Sequence, residues 1–457
     1  MKRKFYYAML NWKRTSNGRT ALMIDGARRV GKSYIAEEFA KREYDDYLLI
    51  DFSKVKPKVK RYFDEYLDDL DTFFMYLFTE YKVNLPRNRS VIIFDEVQKF
   101  PRAREAIKHL VKDGRYHYIE TGSLISINKN VKDIVIPSEE RRLPMHPMDF
   151  EEFLWALGNE MAMPLIARRF AERQAVGEDM NGSLMNLFRQ YLVVGGMPQA
   201  VEEFVATHDL GRVDLIKRDI LSLYRADIHK YGGALRRKIL ALFNAIPSEL
   251  SRHEKKFVLA DLETGARMRD YESAFEWLKG AMTVNVAYAA SEPNVGFKLN
   301  ADRSSLKCYL ADTGLLVSMA FDENRLLSED IHNRILSERI ELNEGMLVEN
   351  VVAQMLLAAG HLPYFYSNAD RKNSANRMEI DFLLDKSTLT RRHNVSPVEV
   401  KSGANVTHAS LDKFRIKFRQ NLAEPFLLSD RDLKVDQGIT YLPLYMAPLL
   451  VGNVKDQ

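Results

Sequence analysis

The sequence predicts an α/β protein led by a doubly wound parallel sheet. Three observations carry that fold class. An apolar run, Ala21-Leu-Met-Ile24, passes through a glycine-bounded loop, Gly26-Ala-Arg-Arg-Val-Gly-Lys32-Ser33, into a helically spaced stretch over 34–40. A second run, Val91-Ile-Ile-Phe94, is apolar throughout and ends in Asp95-Glu96; unbroken runs of this kind are parallel strands covered on both faces. Around them, strand-like segments at 47–50 and 116–120 alternate with helix-like segments at 59–81 and 102–112, the order of βαβ units.

The loop fits the pattern GxxxxGK[ST] in its required strand–loop–helix context. Glycine lets the backbone curl with its N–H groups turned inward, a nest for phosphate oxygens. The helix that follows opens with unpaired N–H groups and a positive dipole end. Gly26, Arg28, Arg29, Val30 and Gly31 form this cradle, Lys32 reaches the β- and γ-phosphates, and the Ser33 hydroxyl ligates Mg²⁺. ATP and Mg²⁺ are therefore the expected cofactors, the alternative being a plain glycine turn. Asp95, at the carboxyl end of its strand, is the expected Mg²⁺ partner, and Glu96 is placed to polarise the attacking water; otherwise the two acids simply end a strand. Past the next strand, Thr121 and Ser123 are candidates to touch the γ-phosphate, or else form a Thr-Gly-Ser turn.

Length and composition bound the rest. At 457 residues the chain suggests about three domains, and 46% hydrophobic with 28% charged residues is ordinary for a globular protein. A net charge of +4 permits nucleic acid as a partner without requiring it. The single cysteine, Cys308, excludes an intrachain disulfide and a multi-cysteine zinc site, and fits a reducing cytosol. The apolar run near Met1 is short for a signal peptide, and no stretch approaches 18 apolar residues. The expectation is a cytoplasmic protein with no membrane partner.

With these motifs in place, the chain resembles AAA+-type ATPases of a prokaryotic family in which the ATPase precedes an uncharacterised C-terminal region. The resemblance rests on 26–33, Phe94-Asp-Glu-Val-Gln98, Thr121-Gly-Ser123 and 141–154. It continues through Tyr191-Leu-Val-Val-Gly-Gly-Met-Pro198, 223–231, Ile246-Pro-Ser-Glu-Leu250, Met378-Glu-Ile-Asp381 and Val398-Glu-Val-Lys401. It implies a P-loop ATPase domain at 1–155, a helical lid at 156–235, a winged-helix-like module at 236–325 and a PD-(D/E)xK nuclease-like, restriction-endonuclease-type α/β domain at 326–457. It implies no substrate. Arg141 and Arg142 fall where such ATPases place an arginine finger, so Arg141 joins the expected nucleotide contacts. A finger acting in trans implies a homo-oligomer; the alternative is a pair of surface arginines.

In the middle of the chain, an acid cap at Asp149 opens a helix with Phe150, Phe153 and Leu154 on one face. Helical pattern continues to 175, breaks at 177–182, resumes over 184–194 and stops at Gly195-Gly-Met-Pro198. Lys217, Arg218 and Arg225 are candidate γ-phosphate sensors, or a solvated basic face. Helices at 238–244 and 271–279, the first broken at Ile246-Pro247, precede a hairpin at 283–288 and 307–310. The acidic stretch around Glu272 and Glu276 favours a protein-packing module over a DNA reader.

In the tail, a helix over 344–359 carries Glu349, and strands at 378–384 and 396–402 follow. Period two places Asp381 on one face with Glu379 and Leu383, and Glu399 on one face with Lys401. One acid, then an acid and a lysine two apart on the next strand, resembles the PD-(D/E)xK nuclease core. There Asp381 and Glu399 would hold Mg²⁺, Lys401 would steady the attacking water, and Glu349 would be the helix acid. The alternative is a degenerate nuclease fold used for binding, its ions paired among themselves. The reading that results is a Mg²⁺-dependent ATPase of AAA+ type. An ATP-gated nuclease acting on DNA and a non-hydrolytic switch that binds a protein partner are its two rivals.

Overall fold

In the computed structural model, β1 (Ala21–Gly26) is buried along its whole length because helices cover both its faces. On one side Leu22 and Ile24 pack with Met9 and Trp12 of α1 (Phe5–Ser16) and Ile35 and Phe39 of α2 (Lys32–Glu43). On the other, Ala21 and Met23 share a core with Phe63 of α3 (Pro57–Glu65), Phe73 of α4 (Leu70–Tyr81) and Ile107 of α5 (Pro101–Asp113). The remaining strands are β2 (Asp46–Asp51), β3 (Ser90–Asp95), β4 (His117–Gly122) and β5 (Glu140–Met145). All pair in parallel, in the order β2-β3-β4-β1-β5. The doubly wound sheet expected from the apolar runs is present, with β4 inserted between the loop strand and the acid strand. The structure describes residues 1–122, 138–252, 255–293, 296–321, 344–370, 372–373, 376–385, 395–402 and 407–451.

The single helix expected over 59–81 is two. Asp69 accepts hydrogen bonds from the Thr72 backbone N–H at 3.2 Å and the Thr72 hydroxyl at 2.6 Å, capping a new start at Leu70. A side chain that satisfies orphan N–H groups lets the chain turn between helices at little cost.

The chain divides into two compact units: Met1–His146 with the short stretches 229–233 and 280–282, and the remainder. The second begins with α6 (Phe150–Ala156), α7 (Ala162–Glu172), α8 (Glu178–Val194), α9 (Pro198–Thr207) and α10 (Leu210–Tyr231). The cap on α6 is reciprocal: Asp149 accepts from Glu152 N–H at 2.9 Å, and Glu152 accepts from Asp149 N–H at 3.2 Å. The polar break expected at 177–182 is confined to Gly177, at φ 100°, and α8 runs on through Gly182. Acids Glu178 and Asp179 in its first turn favour that earlier start. The Gly195-Gly196 stop has a packing cause. A Cβ on Gly196 would lie 2.0 Å from the Met148 carbonyl oxygen, and Gly196 N–H donates to Asp312 at 2.6 Å.

Next come α11 (Arg236–Leu250), α12 (Met268–Gly280), β6 (Val284–Ala290), β7 (Ala301–Leu310), α13 (Thr313–Ala320) and α14 (Glu344–Ala358). Pro247 does not break α11; buried Ile239, Leu242, Phe243, Ile246 and Leu250 hold one face together across it. The tail adds β8 (Tyr364–Asn368), β9 (Met378–Asp385), β10 (Val395–Val400), α15 (Ala409–Lys417), β11 (Phe426–Ser429), β12 (Lys434–Asp436) and β13 (Ile439–Pro443). Strands of this unit form one sheet, ordered β12-β13-β11-β10-β9-β8-β6-β7. The expected hairpin is present, but β6 pairs in parallel with β8, so it is the edge of the tail's own sheet. The expected boundary at 325/326 therefore separates strands that share one sheet. No helix among the described residues is long and apolar enough to cross a membrane.

Candidate functional site

The loop after β1 closes on itself. Gly26 must be glycine, because a Cβ there would meet the Met145 carbonyl oxygen at 2.6 Å and Val30 Cγ1 at 2.9 Å. Arg29 (φ 69°) and Gly31 (φ 100°) take left-handed conformations that swing the chain into α2. The Arg28 and Arg29 side chains face solvent, so in the loop they contribute backbone. Lys32 lies beneath it, buried, donating to the carbonyl oxygens of Gly26 and Ala27 at 2.9 Å each. Burial pushes the Lys32 ammonium down to about 8, against the pull of Glu96, Asp25 and Asp95.

One helix and two strands deliver oxygen groups to this point. The Ser33 hydroxyl, one residue into α2, donates to Asp95 Oδ1 at 2.6 Å. The Thr121 hydroxyl from β4 donates to the same oxygen and accepts weakly from Glu96 N–H at 3.4 Å. Thr121 is thus committed to Asp95; Ser123 lies outside the described residues. Ser33 and Asp95 bring two hard oxygens together at the loop, the donor type Mg²⁺ takes, so the residues fit that ion. Glu96 sits in a left-handed backbone conformation at φ 55°, its carboxylate receiving the Gln98 amide at 2.7 Å.

Arg141 is not brought to this loop. It lies level with Leu22, four residues before the Gly26–Met145 pair, which at about 3.3 Å per residue is about 13 Å along the strand. Its guanidinium meets the Thr15 hydroxyl at 3.4 Å. Parallel pairing sets this: a residue early in β5 stands at the opposite end of the sheet from the loop. Arg142 pairs with Glu140 at 2.6 Å, and Glu140 also takes Arg104 through two bonds of 3.0 Å. Near them Asp25 has one buried oxygen without a partner, and burial raises its carboxyl to about 6. In the second unit, Lys217 donates to the Val193 carbonyl at 2.7 Å, Arg218 to Asp214 at 2.6 Å and Arg225 to Asn244 at 3.3 Å. These bonds tie Lys217 and Arg225 to neighbouring helices and Arg218 to its own.

The tail's acids meet lysines. The Lys307 ammonium, from β7 and fully buried, lies 2.9 Å from Glu349, 2.7 Å from Glu379 and 3.5 Å from Asp381. Lys255 bonds the other Glu349 oxygen at 2.6 Å, and the Tyr309 hydroxyl donates to Glu349 at 2.5 Å. Burial would raise the Glu349 carboxyl, but Lys307 and Lys255 outweigh it and hold it low. Asp381 also accepts from Val400 N–H at 2.9 Å. Glu399 pairs with Lys401 at 2.7 Å and leaves one buried oxygen unbonded; burial raises it to about 7 despite Lys401. Asp381 and Leu383 do not share a face as strict alternation requires. The β8–β9 register shifts between Tyr364 and Tyr366, Leu383 joins Ile380 in one core, and Phe382 turns to Tyr309. Among the described residues no three His, Cys, Asp or Glu side chains gather as a metal-holding group.

Sequence reasoning missed Gln98, Asp25, Lys255 and above all Lys307. The signal for Lys307 was a lysine set within Leu306-Lys-Cys-Tyr-Leu310, a strand otherwise apolar and aromatic.

Parallel sheet, glycine loop, and serine and aspartate from neighbouring elements make the arrangement of a P-loop core. Residues 18–154 match the family described as an AAA domain. Residues 185–326 and 344–447 match two domains of unknown function, DUF8612 and DUF4143. Comparison with curated proteins gives no match. Among solved structures, the Walker-type ATPase PABY2304 of Pyrococcus abyssi is similar at 16% identity, covering 70% of this chain and 95% of that one, TM-score 0.39. Drosophila ORC bound to DNA is similar at 14%, covering 70% and 94%, TM-score 0.28. The Hsp104–ADP complex of S. cerevisiae is similar at 13%, covering 78% and 52%, TM-score 0.28.

Proposed function

We propose that the chain is a Mg²⁺-dependent ATPase in which the loop over 26–33 binds the triphosphate of ATP. One observation carries the reading: the Ser33 and Thr121 hydroxyls and the Asp95 carboxylate converge at the mouth of that loop. In turnover, Lys32 leaves the Gly26 and Ala27 carbonyls and places its charge on the β- and γ-phosphates. Asp95 and Ser33 would hold the ion, which would supply positive charge against the phosphate oxygens. Glu96, steadied by Gln98, orients the water whose oxygen forms the new bond to the γ-phosphorus. The bond from that phosphorus to the bridging oxygen breaks, and ADP and phosphate leave.

The test is Lys32→Ala in the full chain. ATP turnover falls to background while the thermal unfolding profile stays that of a folded protein. Unchanged turnover in folded, purified Lys32→Ala refutes the assignment. A second reading, a slow nucleotide switch that engages a protein partner, draws on the self-closed loop: ATP must break two Lys32 hydrogen bonds to enter. Tight ATP retention with hydrolysis far slower than exchange favours it.

A further inference from the structure

We infer that Lys307 is the resident cation of the tail's carboxylate centre, so this centre takes no divalent metal and performs no metal-dependent cleavage. The nuclease-like arrangement of Asp381, Glu399 and Lys401 requires carboxylates left free to bind an ion. Here Asp381 shares Lys307 with Glu349 and Glu379, and Glu399 is paired with Lys401. Three ammoniums (Lys255, Lys307 and Lys401) face four carboxylates: Glu349, Glu379, Asp381 and Glu399. Mg²⁺ and Mn²⁺ hold oxygen ligands at about 2.0–2.2 Å and need an open position among them. The position central to Glu349, Glu379 and Asp381 is filled by an ammonium with no exposed surface.

The ammonium is fixed there from two directions. Lys307 sits inside β7, whose partner is β6 at Ala287, so strand pairing sets its height in the sheet. Beyond it, Asn350 of α14 accepts from Leu310 N–H at 2.8 Å and donates to the Leu310 carbonyl at 3.2 Å. Gln354 accepts from Thr313 N–H at 2.8 Å. These buried amides lock α14 to the end of β7 and hold Glu349 over Lys307. Glu399, the remaining acid of the arrangement, is held by Lys401 at 2.7 Å. A point charge on a strand thus takes the place a hard cation would need, and binds β7, β9 and α14 together.

The experiment uses the full chain without nucleotide and Mn²⁺ alone as probe, followed by electron paramagnetic resonance. Wild type leaves the free Mn²⁺ signal unchanged, and Asp381→Asn gives the same trace. Bound Mn²⁺ in the wild type that is lost in Asp381→Asn overturns the inference. Bound Mn²⁺ that is lost in Asp95→Asn and kept in Asp381→Asn locates it at the ATPase site and supports it. Lys307→Met supplies a second measurement. Stranding the carboxylates lowers the unfolding midpoint by about 10 °C, and adding Glu349→Gln recovers part of the loss. An unchanged midpoint in Lys307→Met also overturns it.

Discussion

Asp25 stands one residue before the phosphate loop, only 7% exposed, with one carboxylate oxygen bonded to nothing. Burial lifts its carboxyl from 3.8 to about 6, the nearby Arg142 guanidinium notwithstanding. The consequence for stability has a definite sign. Below pH 3.8 the group is protonated in both the folded and unfolded states and contributes nothing. Between that pH and about 6 the unfolded chain releases its proton first, and folding becomes progressively less favourable. Above 6 the full penalty applies, about 3 kcal/mol at 1.36 kcal/mol per pH unit. Asn keeps the shape of the neutral carboxyl and removes the penalty. Asp25→Asn is therefore neutral near pH 4 and stabilising at pH 7.5, where it raises the unfolding midpoint of the first unit by about 8 °C. Calorimetry or circular dichroism at the two pH values measures it. The same midpoint change at both would show that ionisation of Asp25 is not its source, and the argument would fail. Function gives a second readout, because the Asp25 charge helps keep Lys32 protonated. The variant should be more stable yet bind ATP less well at pH 8 than at pH 7.

Lys32 itself sets a pH limit. With its ammonium lowered to about 8 in the free protein, ATP affinity is flat below pH 7 and falls by up to about tenfold per unit above pH 8, with proton uptake on binding. Titration calorimetry in buffers of different ionisation enthalpy reads both quantities, and an affinity independent of pH between 7 and 9 would contradict it. Gly196→Ala forces a Cβ to within 2.0 Å of the Met148 carbonyl oxygen and costs the second unit about 3 kcal/mol; a denaturation midpoint equal to wild type would show that the close approach is not needed.

The first unit was legible because its signals are local. A buried parallel strand carries an unbroken apolar run, so Ala21-Leu-Met-Ile24 and Val91-Ile-Ile-Phe94 announce their strands without knowledge of their neighbours. The phosphate loop is likewise contiguous, and Ser33 meets Asp95 because two such strands end at the same edge of one sheet. Arg141 stands away from its own loop for the complementary reason. Its sequence position is near the end of the domain, but its height in the sheet is set by pairing with Leu22, and pairing register is not written in any one segment. Asp25 was overlooked because an acid beside a glycine loop reads as a turn residue, and only the cover of neighbouring strands makes it costly.

The tail shows where contiguous reading stops. Glu399 and Lys401 are two residues apart, so their pairing could be anticipated from the strand alone. Lys307 is 42 residues from Glu349 and 74 from Asp381, and no periodicity links them. It reaches them because β6 sits beside β8, which makes the hairpin part of the tail's sheet rather than a separate module. The same topological fact thus joins strands that had been assigned to different domains and changes the chemistry of the acids. Read from β9 and β10 alone, Asp381 and Glu399 are ligands awaiting an ion. Once β7 is placed at the edge of that sheet, the cation is already supplied by the chain. A motif of two carboxylates and a lysine specifies a metal centre only when no other strand delivers a positive charge into it, and here one does.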